Sequence, residues 1–587
     1  KNMNKILLTF IYVVPFFFLS NAQVKEPEIN PVIKSVLTDI KNFTDKESKS
    51  DSLKNNLLGS HTEEHFFSNY NFYKSVYTKV NAINKDSLAF NDQINLELLQ
   101  HLIKDELSQY EYKAYLNPVL SDEGFHTALA RRANTILSSK KDVERYLLLL
   151  KDVPRYVDEH LALMREGLRV GISQPKIIVD GYKPTYAQHI TDNVEKSVFW
   201  KPFTKKPFSI NETDWLALQA HAKTIIQQNV ITSYQKIGSF FESEYRTSTR
   251  STLGASNMPK GKAFYEDRVK FFTSTNLSSE EVYQIGVKEV ARIKYEMDKV
   301  LQQVNFKGNF KAFLKNLRTD SKFYATTPEQ LLKEASYIAK KADGILPSLF
   351  GKLPRQPYSV EPVPAYLAPA YTAGRYSGAP IKSKNAGEYW VNTYDLKSRT
   401  LYTLEALTLH EAVPGHHLQI ALTKELENLP EFRQNLYVNA FGEGWGLYCE
   451  YLGHEMGFYK DPYSLFGRLT YEMWRACRLV IDVGIHTKGW TREQAVSYLA
   501  DNTALSLHEV NTEVNRYISW PGQALAYKIG EIKIKELRAK AEKYLSESFD
   551  VRSFHDMILS NGTVTLSILE KMTDKYIKEQ LEKKNSK

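Results

Sequence analysis

The stretch Leu407-Thr-Leu-His-Glu-Ala-Val-Pro-Gly-His-His-Leu-Gln419 places three histidines and a glutamate between His410 and His417. The whole chain of 587 residues has only 14 histidines, so the cluster stands out. A histidine followed directly by glutamate, with more histidine one to two helical turns on, is what metal-assisted hydrolysis needs. Two imidazoles hold the metal, and the glutamate beside the first is close enough to take a proton from a water that the metal activates. The usual spacing is i, i+4 on one helical face. Here the second histidine comes at i+6 (His416) or i+7 (His417). In an unbroken helix those positions stand about 9 and 10.5 Å along the axis from His410, too far for two bonds of about 2.0–2.1 Å to one zinc.

Pro414 and Gly415 offer a way out. Proline has no N–H to give the His410 carbonyl and pushes residue 413 out of helical geometry, and Gly415 tolerates the dihedrals that follow. A bulge in the helix across Val413–Gly415 is expected. Looping out two residues returns His416 to an i+4 position, whereas His417 needs three. His416 is the preferred second ligand and His417 the alternative.

Further on, Phe441-Gly-Glu-Gly-Trp-Gly-Leu-Tyr-Cys-Glu450 offers a third ligand, Glu443, after room for one helix and a turn. The three glycines let this helix approach another backbone closely, and Trp445, Leu447, Tyr448 and Leu452 give it an apolar side to bury. Glu450, seven residues beyond Glu443, shares its face and is a candidate to orient a ligand. Two histidines and a distal glutamate leave the fourth zinc position open, the layout of a catalytic site.

HEAVPGHHLQ, EGWGLYCEYLG, RLTYEMWRACRLVIDVGIHTKGWTREQAVSYL and RYISWPGQALAYKIGEIKIKELR together resemble a bacterial family labelled a domain of unknown function. The resemblance extends over nearly the whole chain. It implies a zinc metallopeptidase of the gluzincin type, a large, mainly α-helical zincin-like fold with a small β element beside the metal helix. A weaker similarity reaches helical oligopeptidases and thermostable carboxypeptidases. On that similarity Tyr527, in Tyr527-Lys-Ile-Gly530, matches the tyrosine that donates a hydrogen bond to the oxyanion.

The rest of the chain sets bounds. Lys1 to Gln23 reads as a secretory signal peptide (residues 1–22): lysines, an apolar run from Ile6 to Leu19, and small residues before a cut after Ala22. Met3 is a candidate start. No cysteine lies near the cut and no later stretch approaches 18 apolar residues, so an exported protein, periplasmic or extracellular, with no membrane anchor in the mature chain is expected. Net charge is +9, two of it from Lys1 and Lys5, with lysine spread rather than blocked; nucleic acid is not an expected partner. The two cysteines, Cys449 and Cys477, make no disulfide framework and read as buried thiols, a single bridge staying open.

Helical patterns cover Asp142–Val170, with a break or kink at Pro154, and then Thr213–Glu242, Ser278–Gln303, Pro328–Gly344, Tyr402–Leu426, Phe441–Met456, Leu465–His486 and Thr491–Leu499. Ser278 and Thr491 read as helix starts. Turn-rich residues 248–262 suggest a boundary, with an N-terminal helical region at 23–255 and a catalytic helical region at 256–587. Gly387–Thr393 reads as a strand, a candidate edge that pairs with substrate backbone. Arg478 and Asp482 at i+4 suit an ion pair, and His486 suits the end of its helix. Arg516 and Tyr517 are candidates to hold a substrate carboxylate or carbonyl.

The expected function is zinc-dependent hydrolysis of oligopeptides, with zinc on His410, His416 and Glu443 and Glu411 as general base. The alternatives are a catalytically silent peptide-binding or envelope-assembly protein on the same scaffold, or a zinc amidase acting on non-peptide bonds. Endopeptidase versus carboxypeptidase action, side-chain preference and oligomeric state stay open.

Overall fold

The computed structural model describes residues 29–365, 368–380, 385–427 and 429–585. The segment read as a signal peptide lies outside them. The fold is mainly α, and its described residues group into two compact units, residues 29–264 and 265–585. Among the described residues no helix is long and apolar enough to cross a membrane.

The N-terminal unit includes α1 (Pro31–Leu53), α2 (Glu63–Asn81), α3 (Phe90–Glu111), α4 (Lys140–Val170) and α5 (Glu212–Ile225). Helix α4 runs through Pro154 rather than breaking there. Pro154 costs about 3 kcal/mol in a helix interior, but Leu150, Val153, Val157 and Leu161 around it are all fully buried, and their burial on the order of 1.5–3 kcal/mol each outweighs that cost. After α5 the chain winds on through two π-helical stretches, Ile226–Ile231 and Phe240–Tyr245.

In the second unit, α6 (Ser279–Gln303) starts at a capping box in which Ser278 and Glu281 each accept from the other's backbone N–H. Helix α7 (Pro328–Leu349) leads to the strands β1 (Tyr358–Pro362), β2 (Gly374–Ser377) and β3 (Gly387–Val391). The strand read from sequence is β3, and it is central, in the order β1-β3-β2, parallel to β1 and antiparallel to β2. With neighbours on both sides it has no edge to offer, and β1 and β2 are the edge strands instead. Four residues, Gly-Arg-Tyr-Ser, are too few for alternation to reveal β2 beforehand.

Helices α8 (Leu404–Glu411), α9 (His416–Lys424), α10 (Asn439–Leu452), α11 (Pro462–Lys488), α12 (Leu507–Ser519) and α13 (Ala526–Leu545) follow. Another capping box, at Thr491 and Gln494, opens the helix Arg492–Asn502. Helix α11 is buried along nearly its whole length. Where α10 crosses α13, a Cβ on Gly444 would come within 2.5 Å of the Gly530 backbone, so the two helices touch main chain to main chain. Cys449 and Cys477 are buried free thiols.

Candidate metal centre

Residues 404–424 form two helices rather than one bulged helix. Helix α8 stops at Glu411, Ala412 leaves helical geometry (φ −94°, ψ −107°), and Val413–Pro414 is a cis peptide. Gly415 then caps α9 (φ −73°, ψ −130°), and a Cβ there would lie 1.8 Å from the His410 carbonyl oxygen. The turn is tied down from both sides. The His417 N–H donates to the Ala412 carbonyl at 3.1 Å, and Trp445 Nε1 donates to the Pro414 carbonyl at 2.9 Å. The missing proline N–H thus ends α8 outright, and a second helix begins on a new axis with His416 as its first residue.

This geometry separates the two candidate histidines. The Nε2 of His416 lies 3.4 Å from Glu443 Oε2, and the Nε2 of His410 lies 3.6 Å from the same oxygen. One ligand atom from each of the three residues falls within a span of 4.8 Å. Zinc bonds of about 2.0–2.1 Å in tetrahedral array need ligand atoms about 3.3–3.4 Å apart, close to the observed spacing. His417 instead turns toward the sheet. Its Nδ1 meets the Tyr376 hydroxyl at 3.0 Å, and its ring lies 4.5 Å from that of Tyr358. Burial lowers its pKa to about 4, despite a hydrogen bond to the Gln356 backbone. His417 is not in the group of three residues that converge on one point.

The nominated ligands are themselves held. His410 Nδ1 is 2.8 Å from Glu450 Oε1, which also faces Arg475 at 3.5 Å. Burial opposes charging of His410, but its hydrogen bonds to Glu443 and Glu450 outweigh that and raise its pKa to about 9. Burial likewise works against the Glu443 carboxylate, and the two imidazoles hold it well below the usual range all the same. The other Glu443 oxygen accepts from the Tyr437 hydroxyl at 3.0 Å. Gly446 makes the closeness possible, because a Cβ there would come within 2.6 Å of the His410 ring. His416 Nδ1 is buried with no hydrogen-bond partner. Two imidazole nitrogens facing one shared carboxylate oxygen in a buried site fit a cation-binding role, and the N,N,O donor set suits zinc.

Glu411, the last residue of α8, accepts the backbone N–H of Tyr376 at 2.8 Å. Its carboxylate therefore bridges the metal helix and the outer side of edge strand β2. Tyr527 packs with Leu447 and Ala526, and the guanidinium of Arg478 stands 4.3 Å from its ring centre. Burial, and after it Glu443 and Tyr527, push the Tyr437 hydroxyl well above its ordinary range, which puts Tyr527 in the same surroundings.

The other nominated residues sit in a buried network behind the site. Trp474 Nε1 and Arg478 Nε both donate to the Tyr517 hydroxyl, at 2.9 and 3.1 Å. That hydroxyl is occupied within the core and is not presented to a substrate. Arg516 donates to Gln523 Oε1 at 3.2 Å and lies over Trp520. Arg478 pairs with Glu513 at 2.8 Å and not with Asp482, whose Oδ1 accepts from Tyr265 Oη at 2.6 Å and from the Gly522 N–H at 3.1 Å. His486 Nε2 meets the Tyr517 carbonyl at 2.9 Å. Tyr437 and strand β2 were missed by sequence reasoning. Neither belongs to a spaced motif, and both reach the site only through tertiary packing.

Solved structures similar to this chain include two described as lipoproteins. The crystal structure of a "putative lipoprotein" from Colwellia psychrerythraea is 27% identical with a TM-score of 0.83, covering 89% of this chain and 92% of that one. A "putative lipoprotein of unknown function" from Shewanella oneidensis is 17% identical with a TM-score of 0.70, covering 92% and 98%, and shows the shared fold. No curated protein matches the chain. The family model described as "Bacterial protein of unknown function (DUF885)" matches residues 47–572, and the chain belongs to that family.

Proposed function

We propose that this protein is a zinc-dependent peptidase of the bacterial envelope that hydrolyses oligopeptides. One observation carries the reading: two imidazole nitrogens converge on one carboxylate oxygen at 3.4 and 3.6 Å, with the Glu411 carboxylate fixed beside them against a strand edge. His410, His416 and Glu443 would hold zinc, which when bound supplies the Lewis acidity that brings a water and a carbonyl into reaction. Glu411 neighbours a ligand without belonging to the ligand set, the position from which a carboxylate takes a proton from water and returns it to a departing amine. The Tyr376 N–H that holds Glu411 lies on the free side of β2, where an extended peptide would add as a further strand. Glu450 and Tyr437 position ligands His410 and Glu443. Tyr527 is the candidate to donate a hydrogen bond to the oxyanion. The envelope location is supported by the descriptions of the two similar structures.

The test is mass-spectrometric profiling of a peptide library with the purified protein and its Glu411→Gln variant. Wild type should cleave peptides. The variant should keep its zinc and fold while losing at least ~10²-fold in rate, the scale of a lost general base. Failure of zinc-loaded wild type to cleave any peptide would defeat the reading, and loss of zinc from the variant would make Glu411 a ligand.

A further inference from the structure

Two neighbouring loops of the N-terminal unit carry apolar side chains that its core does not take up. Lys205-Lys206-Pro207-Phe208-Ser209 leads into a tight turn closed by the Ile210 N–H on the Pro207 carbonyl at 3.2 Å. Phe208, at the tip, is fully exposed (102%). On the loop that precedes α4, Ile136 is 75% exposed. The loops are joined: Ser209 Oγ donates to the Ser138 carbonyl at 3.4 Å, and Lys140 meets Asp214 at 3.9 Å. Directly beside the tips, Leu137 and Ile210 turn the other way and are buried in the same cluster as Trp200, Phe203 and Trp215. The tips therefore project from an anchored base.

Their surroundings are basic. Residues 131–141 contain Arg131, Arg132, Lys140 and Lys141 and no acid, and residues 201–214 contain Lys201, Lys205 and Lys206 against Glu212 and Asp214. All seven bases are exposed. Acids answer some of them, Glu123 meeting Arg131 at 3.4 Å and Glu212 meeting Lys206 at 3.6 Å. With Glu123 and Asp142, which accepts the Ser138 N–H at 3.1 Å, counted beside Glu212 and Asp214, the excess is three positive charges.

Single exposed apolar residues are ordinary on protein surfaces. Two adjacent tips inside a collar of lysine and arginine are a different arrangement. We infer that this face docks on the surface of an anionic phospholipid bilayer. Phe208 and Ile136 enter the boundary between head groups and acyl chains, and the flanking lysines and arginines stay at the level of the phosphates. A protein partner would need a continuous apolar area, which two tips set among charged side chains do not supply. A nucleic acid would use the bases but has no use for aliphatic Ile136. The inference stands apart from the peptidase reading, since none of these residues is near the proposed ligands in sequence or shares an element with them.

The experiment is co-sedimentation of the purified mature chain with vesicles of phosphatidylglycerol and phosphatidylcholine, or of phosphatidylcholine alone, at low and high salt. The protein should bind the anionic vesicles at low salt and release as salt rises. Both the Phe208→Ser/Ile136→Ser and the Lys205→Glu/Lys141→Glu variants should bind at least ~10-fold more weakly. Zinc content and thermal midpoint should match wild type in both, because all four positions are exposed. No binding to anionic vesicles at low salt would overturn the inference. So would binding that the charge variant weakens and the apolar variant leaves intact, the signature of a general polyanion site.

Discussion

The N-terminal unit and the candidate metal centre use buried histidines in opposite ways. In the N-terminal unit, His61 donates toward the Leu58 carbonyl, His160 toward that of Tyr156, and His126 meets the Thr185 hydroxyl. Aromatic rings crowd them, with His61 and His160 only 4.3 Å apart. Burial dominates, lowering His61 and His189 to about 4 and His126 to about 3, with His160 well below its ordinary value. At the candidate metal centre burial is as deep, yet His410 is raised to about 9 because carboxylates face both its nitrogens. What a buried histidine does is decided by its partner. A carbonyl or hydroxyl keeps it neutral and structural, while a shared carboxylate readies the pair for a cation.

The sharpest way to break this contrast is to keep every ligand and spoil only their closeness. Gly446→Ala would put a methyl group 2.6 Å from the His410 ring. Zinc affinity should fall by at least ~10-fold, the lower range for disturbing what orients a ligand. Equilibrium binding to the chelator-stripped protein reads this directly, and unchanged affinity would mean that α10 does not set the ligand positions.

A smaller effect tests the other half of the comparison. Histidines with lowered pKa stay neutral in the folded unit while the unfolded chain takes up protons below about pH 6.5. Folding stability is therefore complete above about 6.5 and declines as pH falls toward the folded values near 4. Glu106 and Glu47 act in the opposite sense: burial raises them to about 8 and about 7, so that the folded unit gains protons there. Five lowered histidines, His65 included, against two raised acids leave a net loss, on the order of 1.4 kcal/mol per pH unit for each net proton. Hydrogen exchange across residues 29–264, corrected for intrinsic rates, should show opening on going from pH 6.5 to 5. Protection that stays constant or rises would contradict the sign.

Much of the candidate metal centre could be read from local chemistry. His410, Glu411 and Glu443 stand out by type and spacing, and Pro414 marks the place where helical geometry must fail, although the outcome is two helices rather than a bulge. The helix starts at Ser278 and Thr491 were legible because a capping box is written within four residues. What escaped depends on contacts between distant segments. Tyr376 reaches Glu411 across 35 residues, Arg478 finds Glu513 across 35, and Tyr265 reaches Asp482 across 217. No periodicity encodes such choices.

The central claim is that the break at Pro414 delivers His416, and not its neighbour, to a zinc site. Elemental analysis of His416→Ala and His417→Ala, purified without chelators beside wild type, tests it most directly. Wild type and His417→Ala should carry about one zinc per chain, the single site one ligand set provides, and His416→Ala essentially none. Zinc retained by His416→Ala and lost from His417→Ala, or a wild type without zinc, would contradict the account.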